Sequence, residues 1–326
     1  MFQLIKQRMK GAQNISQITK AMELVAATKM RRSQEIALRS RPYAYSALDL
    51  LRTLAALEKT DHTPPLLAVR PVAHTLILLI TSDKGLAGAF NSNVIKKFEQ
   101  FMRLRDAEVR SSDTKVREER RSPKGSVSCV AVGKKAQAHL EKQGYTVLHA
   151  FTRAGDFTSP EEVRPVAELL GTLYAKKEID QAIAFSTHFR TALAQETLAR
   201  ELLPISVAAL TRTINEIVPE KGKYSELRIK NNESRMERPK NLLIEPSPAQ
   251  VLDAIAAHLL HMELYHLFME ANASEHAARR MAMKNASENA GELVETLTLT
   301  YNKLRQAAIT KEITEITAGA EALRTN

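Results

Sequence analysis

The chain has 326 residues, an apolar content of 44% and a formal net charge of +10 at pH 7. Its length accommodates two domains, or one domain with an extension. No apolar run reaches the roughly eighteen residues of a membrane-spanning helix, and Met1 leads into a helical pattern without a signal-peptide segment. The single cysteine, Cys129, excludes an internal disulfide and fits a reducing cytoplasm. The lack of tryptophan and the low aromatic content favour a helical rod over an enzyme with a deep pocket.

The N-terminal region predicts a long amphipathic helix. Its apolar residues recur every three or four positions and form one stripe. They are Ile5, Met9, Ala12, Ile15, Ile18, Met22 and Val25. Pro42 is the first proline, so we expect the helix to bend or break there, with helical composition resuming over residues 44–57.

The same region is strongly basic. Residues 1–41 contain nine lysines and arginines, against Glu23 and Glu35 as the acids. A helix with this imbalance favours an acidic partner, whether a protein, a membrane surface or a nucleic acid. A plain solvated helix face is the alternative interpretation of the same charge run.

The middle of the chain changes to alternating strands and helices. In chain order, the predicted elements are a strand at 72–80, a helix at 93–105, a strand at 126–132, a helix at 134–142, a strand at 145–151, a helix from the Ser159 cap to about residue 177 and a strand at 179–186. Residues 200–230 predict a sheet edge and a loop. The alternation predicts a Rossmann-like α/β domain. Residues 106–124 are charged and aperiodic, which predicts an exposed, mobile loop, and residues 231–240 form a second polar connector.

The C-terminal region predicts a second and longer helix, because residues 249–318 contain no proline. A heptad pattern with polar gaps continues over nine repeats, in two interleaved sets. The first set is Leu252, Leu259, His266, Ala273, Arg280, Ser287, Val294, Tyr301 and Ala308, and the second is Ile255, Met262, Met269, His276, Met283, Ala290, Leu297, Leu304 and Lys311. At 1.5 Å per residue, some seventy residues form a helix roughly 105 Å long. The polar members indicate that part of this helix faces something other than the first helix.

The two terminal helices predict the architecture. A long helix with a narrow apolar stripe is stable only against another stripe. We therefore expect an antiparallel two-stranded coiled coil formed by the N- and C-terminal helices, with the Rossmann-like α/β domain inserted between them. The predicted boundaries are residues 1–60, 70–240 and 249–326. Because no ordinary globular domain needs such a rod, we expect the rod itself to be the functional element.

The sequence offers little catalytic chemistry. Residues 81–91 (TSDKGLAGAFN) follow a strand, where α/β folds bind phosphate, but they match no phosphate-binding fingerprint and favour a tight structural turn. The histidines of the C-terminal helix lack a metal-binding spacing, so we expect no metal site. Cys129 is expected to be a small core residue. These observations argue against an enzyme, and we expect no cofactor.

Several segments carry more specific motifs. They are 5–9 (IKxRM), 17–32 (QITKAMELVAATKMRR), 40–43 (SRPY), 82–88 (SDKGLAG), 273–279 (ASEHAAR), 281–286 (MAMKNA) and 301–316 (YNKLRQAAITKEITEI). In these segments the chain closely resembles the gamma subunit family of F-type ATP synthases. Both ends match almost continuously, whereas the centre matches in its pattern and in the one loop motif.

The resemblance implies a rotating central shaft without an active site, present as one copy per complex. In that family the coiled coil stands in the bore of a hexamer of alpha and beta subunits. The α/β domain rests with the epsilon subunit on the membrane ring of c subunits, and flow of protons or sodium ions turns ring and shaft. The resemblance also implies a peripheral protein at the cytoplasmic face of a bacterial plasma membrane, attached through the c-ring.

The resemblance further implies contact roles, residue by residue. The positions that match hexamer-contacting ones are Arg8, Lys20, Met22, Lys29, Arg31, Arg32, Arg305, Gln306, Thr310 and Glu312. Arg41 and Tyr43 match the foot that contacts the epsilon subunit and the c-ring. For each of these residues, a plain coiled-coil or surface position is the alternative interpretation.

Two other functions compete with the shaft. A basic coiled-coil protein could bind nucleic acid through its lysines and arginines, but the charges lack interleaved aromatics and no base-recognition motif is present. A nucleotide-binding enzyme could use the central α/β domain and would depend on Gly85 and Gly88. The shaft hypothesis predicts no nucleic-acid partner and no nucleotide binding by this chain alone.

Overall fold

Two very long helices bound the chain. The computed structural model describes residues 2–57, 64–111, 127–152, 157–206 and 244–324. Helix α1 covers Phe2–Leu57, 56 residues, and helix α5 covers Pro248–Arg324, 77 residues. The chain forms two compact units, and both helices contribute to each. The first unit comprises Met1–Ala26 with Arg279–Asn326, and the second comprises Ala27–Ala278.

The second unit contains a five-stranded mixed sheet. Between α1 and α5, the elements among the described residues are β1 (Thr75–Ile80), α2 (Phe90–Ser111), β2 (Val127–Val132), α3 (Lys134–Lys142), β3 (Val147–Phe151), α4 (Pro160–Ala175), β4 (Gln181–Phe189) and β5 (Gln195–Leu203). The strand order is β3-β2-β1-β4-β5. The first four strands are parallel, and β5 pairs with β4 as an antiparallel edge.

Strand β1 is buried along its whole length because helices cover both faces of the sheet. Successive side chains of a strand point to opposite faces. Ile77 and Leu79 therefore pack with α2 and α3 in one apolar cluster. Leu76 and Leu78 pack with α4 and α5 in a larger cluster on the other face.

Helix α5 passes through the second unit as a core element. All of residues 263–277 are buried, on every side of the helix. Leu264 and Leu267 of this stretch belong to the same apolar cluster as the sheet residues Leu76 and Leu78. The prediction that part of the C-terminal helix faces something other than the first helix is thus confirmed, and the partner is the sheet.

In the first unit α1 and α5 pair in antiparallel order. The Ser16 Oγ donates a hydrogen bond to the Ser287 carbonyl oxygen at 3.3 Å, and the Ser287 Oγ donates to the Ser16 carbonyl oxygen at 3.2 Å. Nearer the chain start, the Thr298 hydroxyl lies 3.3 Å from the Met9 sulfur. Helices approach each other more closely when the side chains between them are small, and here each backbone accepts a bond from the other helix.

The residues of α1 that face α5 differ from the predicted stripe. The buried and half-buried repeat, with spacings of four and three, is Ile5, Met9, Ala12, Ser16, Thr19, Glu23 and Ala26. The prediction is wrong for Ile15, Ile18 and Val25, which are 55%, 60% and 52% exposed. A prediction from hydrophobicity alone chooses the neighbouring stripe, because its apolar side chains are larger. In the structure, the close approach of the two helices places small and polar side chains at their contact.

The predicted seam of α5 is correct through Leu304, since each member from Leu252 onward is buried or half-buried. It is wrong for Ala308 and Lys311, because residues 305–320 are exposed on every side. Met9 lies beside Thr298, so an antiparallel α1 ends opposite about residue 305. The last part of α5 therefore extends beyond the start of its partner helix.

Three boundaries also differ from the prediction. Helix α1 does not break at Pro42, and Ala37 and Ala47 on either side of it pack on the same apolar cluster. Helix α2 extends to Ser111, so residues 106–111 are helical, not loop. Strand β5 starts at Gln195, before the predicted sheet edge. The predicted connectors at 112–124 and 231–240, and the loop after residue 206, lie outside the described residues.

No helix within residues 2–57, 64–111, 127–152, 157–206 and 244–324 is both long enough and apolar enough to cross a membrane.

The observed seam can be tested against the predicted one by two substitutions. Ala12 is 4% exposed, so Ala12→Leu should overpack the helix pair and lower the free energy of unfolding by about 1–3 kcal/mol. Ile18→Ala should change it by no more than about 0.5 kcal/mol, because Ile18 is exposed in the first unit. Denaturant unfolding of the purified chain, followed by circular dichroism, measures both. A larger loss for Ile18→Ala than for Ala12→Leu would restore the predicted stripe.

Candidate partner-binding surface

The exposed end of α5 carries one amphipathic face. Ile309, Ile313 and Ile316 are 48%, 56% and 66% exposed. At about 100° per residue, these three isoleucines fall within roughly 60° of arc on the helix. Exposed apolar residues scattered singly need no explanation, but a contiguous stripe is typical of a binding surface.

The polar residues that the sequence analysis assigns to this region flank the isoleucine stripe. Arg305 and Glu312 lie on one side of it and Gln306 and Thr310 on the other, all within about 160° of arc. All four are exposed. The helix thus presents an apolar centre with a polar rim, which is the usual composition of a protein–protein interface. We call residues 305–316 the α5 tip.

The heptad count missed the isoleucines of the α5 tip, although the family resemblance implies that residues 313–323 are held in an apolar bearing. The heptad count continues through Ala308 and Lys311, so it assigns the seam to these residues and not to the three isoleucines. A signal was nevertheless present, since residues 309, 313 and 316 repeat at spacings of four and three in a new register. A change of register near the end of a helix indicates a change of partner.

A second apolar face lies on α1 in the first unit. Ile15, Ile18 and Val25 are exposed on one side of the helix, and Met22, which is half-buried, and Arg8 lie on the same side. These residues flank the seam, so the α1 face remains uncovered while the seam is occupied. The structure therefore brings Arg8 and Met22 together with three large apolar side chains.

Lys20 does not share the α1 face. Residues two apart on a helix point in different directions, and Lys20 lies across the seam from Met22. Its Nζ is 2.9 Å from a carboxylate oxygen of Glu23, whose side chain is only 11% exposed. Lys20 thus has a role within the unit, because it neutralises an acid on the seam.

The remaining basic positions lie in the second unit and are not one surface. Lys29 is half-buried, while Arg31 and Arg32 are exposed. The Arg32 guanidinium stacks 5.1 Å above the ring of Phe157. These three basic residues therefore do not form one surface, and Arg32 already has a partner within the unit. The side chain of Arg41 lies outside the described residues.

Tyr43 has a partner within the second unit. Its hydroxyl lies 2.6 Å from Nε2 of His258, and the two rings meet edge to face with centroids 5.4 Å apart. Burial, with a smaller contribution from neighbouring His261, lowers the pKa of His258. The neutral imidazole can therefore accept the hydrogen bond that the tyrosine hydroxyl donates.

The segment after β1 accepts hydrogen bonds from the start of α3. The three first backbone N–H groups of α3, at residues 134–136, are the donors that an α/β fold would offer to a phosphate. They donate instead to Oδ1 of Asp83 at 2.8 Å, to the carbonyl oxygen of Ser82 at 3.3 Å and to Oγ1 of Thr81 at 2.8 Å. These three bonds occupy the donors at the start of α3 and hold the segment after β1 against that helix.

The described residues offer no metal site and one unreactive thiol. Among residues 2–57, 64–111, 127–152, 157–206 and 244–324, no group of three His, Cys, Asp or Glu side chains could hold a metal ion. Cys129 is fully buried in β2, and burial raises the pKa of its thiol to about 12. Cys129 is a core residue, as predicted.

In fold class, the protein consists of two long terminal helices with a mixed sheet and its helices inserted between them. A family model described as ATP synthase matches residues 2–323. The chain belongs to the ATP synthase gamma chain family, as the motifs at both ends predict. The ATP synthase gamma chain of Chlorobaculum tepidum is 34% identical over 320 residues, with 98% of each chain covered. That of Thermosynechococcus vestitus is 36% identical over 324 residues, again with 98% of each covered.

Solved structures show the same fold at lower identity. A chain of the Euglena gracilis mitochondrial ATP synthase rotor, in rotational state 1, matches with a TM-score of 0.58 at 18% identity, covering 94% of this chain and 98% of that chain. A chain of the same organism's F1 and c-ring structure, in rotational state 3, matches with a TM-score of 0.61 at 19% identity, covering 99% and 94%.

The contact between the segment after β1 and the start of α3 can be tested at Gly133. This residue has φ +92°, and a Cβ added there would press against the Thr81 carbonyl oxygen. Gly133→Ala should lower the free energy of unfolding by about 3 kcal/mol or more, from backbone strain and steric clash together. Gly144→Ala is the matched control, because Gly144 has φ +73° in open space and should cost about 1 kcal/mol. Equal losses in thermal unfolding would contradict the close approach of Gly133 to Thr81.

Proposed function

We propose that this chain is the rotating central stalk of an ATP synthase, which couples rotation of a c-ring to ATP synthesis or hydrolysis by a hexamer of alpha and beta subunits. Membership of the gamma chain family supports this role. The main observation in its support is the α5 tip, which has an apolar stripe with a polar rim. It lies on the part of α5 that extends beyond the start of α1. A stalk needs such a surface in order to be held by the hexamer.

The proposed stalk is an antiparallel coiled coil of the two terminal helices, with a Rossmann-like α/β domain inserted between them. The proposed divisions are residues 1–60, 70–240 and 249–326. The antiparallel contacts between Ser16 and Ser287 support the coiled coil. A packed helix pair resists twisting better than a single helix, and resistance to twisting is what torque transmission requires.

The proposed contacts with the hexamer follow the exposed residues. Arg305, Gln306, Thr310 and Glu312 would bind polar groups of the hexamer around the isoleucine stripe. On α1, Arg8 and Met22 would act with the exposed apolar face, and the positive charges of Lys20, Lys29, Arg31 and Arg32 would complement acidic segments of beta. Charged and polar rims of this kind set orientation and partner choice.

The proposed foot is formed by the second unit. Arg41 and Tyr43 would lie near the epsilon subunit and the c-ring, and membrane association at the cytoplasmic face of a bacterial plasma membrane would be indirect, through the ring. One copy of the chain would serve each complex, with protons or sodium ions as the coupling ion. A non-catalytic role is supported by the occupied N–H donors at the start of α3.

The experiment is reconstitution with the alpha and beta subunits of the same organism. We expect a stoichiometric complex with one copy of this chain per hexamer, whose ATP turnover depends on the chain. Replacing Arg305 and Gln306 together by alanine should reduce the chain-dependent turnover by roughly tenfold, as expected for a loss of about 1.4 kcal/mol in the rate-limiting step. Steady-state ATPase assays of the purified complexes measure the effect.

Arg103→Ala is the matched control. Arg103 is an exposed cation of α2, 81% exposed, with a distant Glu99 partner at 3.9 Å. Its replacement should leave turnover unchanged. If the chain does not assemble with the hexamer and ATP turnover is the same without it, the proposed stalk function is wrong. Nucleic-acid binding with steep salt dependence would then be measured for the basic residues of α1.

A further inference from the structure

The buried stretch of α5 contains a fully enclosed charge cluster. One oxygen of the Glu270 carboxylate lies 3.0 Å from Nη1 of Arg200 on β5, and the other lies 3.0 Å from Nδ1 of His188 on β4. Nε2 of His266, one turn earlier on α5, is 3.5 Å away. The side chains of all four residues are at most 10% exposed. This cluster joins three elements at one point.

The cluster keeps Glu270 charged. Burial by itself would raise the pKa of this carboxyl, but the Arg200 guanidinium and the two histidines outweigh burial and hold the pKa well below its ordinary value. The interaction between Arg200 and Glu270 is therefore a true ion pair inside the protein. Ion pairs of this kind depend strongly on the distance and orientation of the two groups.

Two neutral hydrogen bonds extend the cluster along the same helix. The Ser274 Oγ donates to the Thr187 carbonyl oxygen of β4 at 3.3 Å, and the Asn272 side-chain amide donates to Oγ1 of Thr158 at 2.8 Å. Residues 270–274 of α5 are thus bound by β4, β5 and the segment before α4. We call these contacts the α5 lock: the Glu270 cluster together with Ser274 and Asn272.

Stability alone does not explain the α5 lock. A buried ion pair is often no more stabilising than apolar side chains of the same volume, because both charges lose their hydration. What polar contacts add is direction. The hydrophobic driving force is non-directional, whereas a buried ion pair and its hydrogen bonds are satisfied over a narrow range of helix rotation and register.

We propose that Arg200, Glu270 and His188 are positioning residues that carry torque between the sheet and helix α5. The proposal rests on the rotor function given above and adds to it the place where a turning force enters the long helix. Arg200 and His188 lie on adjacent antiparallel strands of the sheet edge, so a rotation of α5 about its axis would pull Glu270 from both at once. Without the lock, the helix would twist against apolar contacts before it transmitted force.

The test uses membrane vesicles that carry the complete ATP synthase, with Glu270→Gln in this chain. ATP hydrolysis and ATP-driven ion uptake are measured in the same sample, the latter by quenching of a pH-sensitive dye or by radiolabelled sodium. We expect hydrolysis to continue while the ratio of uptake to hydrolysis falls by roughly half or more, since the ion pair that fixes the helix is lost. An unchanged ratio would overturn the proposal.

Asp180→Asn is the matched control for a merely structural loss. Asp180 pairs with Arg70 at 2.8 Å and accepts from the backbone N–H groups of Ala73 and His74, so these partners lie outside α5. This variant should lower thermal stability and leave the ratio intact. An equal fall of the ratio in both variants would assign the effect to general destabilisation and contradict the lock.

A second variant and the unaltered chain resolve the remaining outcomes of the test. If Glu270→Gln does not assemble, Ser274→Ala removes one neutral hydrogen bond of the same lock, and the same ratio decides: a fall supports the proposal and an unchanged value overturns it. The unaltered chain separates this inference from the proposed function. If vesicles with the unaltered chain show no chain-dependent uptake, the rotor function itself fails; if they do, and Glu270→Gln keeps the ratio, only the lock fails.

Discussion

The length of helix α5 is the constraint on which the rest of the structure depends. A helix of 77 residues must satisfy its surface along its whole course, and its surroundings differ in three successive stretches. Residues 263–277 are buried on every side, the seam from Arg280 to Leu304 is covered on one side, and residues 305–320 are exposed. The sheet covers the first stretch and α1 covers the second. None of the described residues covers the third, which leaves its apolar stripe available to another chain.

The first unit is not arranged for maximal stability of the chain by itself. Each buried methylene stabilises a protein by about 0.8 kcal/mol, so a seam of isoleucines would hold two helices better than one with Ser16, Thr19 and Glu23. The large apolar residues Ile15 and Ile18 instead lie on the exposed α1 face. Small and polar seam residues allow a close helix pair with hydrogen bonds across it, and they leave the apolar residues available to a partner. This distribution is the physical signature of a subunit.

Much of the fold follows from local pattern. The continuous apolar run TLILLI predicts β1 as a buried parallel strand, and the Ser159 cap followed by Pro160 and two acids predicts the start of α4, because these signals depend on neighbours in sequence. The α1 seam was harder, because hydrophobicity does not report which stripe a close-packed partner selects. The Glu270 cluster was beyond prediction, since Arg200 and His188 are 70 and 82 positions away and only the sheet register brings them together.

Apolar and polar contacts therefore have separate tasks in this chain. Apolar burial between the sheet and α5 supplies cohesion through a driving force that is itself non-directional. Directional contacts occur where rotation must be fixed: Ser16 with Ser287 between the two helices of the first unit, and Glu270 with Arg200 and His188 in the second. A protein selected only for stability could replace these groups by apolar ones at little cost. A protein that must transmit a turning force cannot, because without them the force would be lost as slippage of helix against helix and helix against sheet.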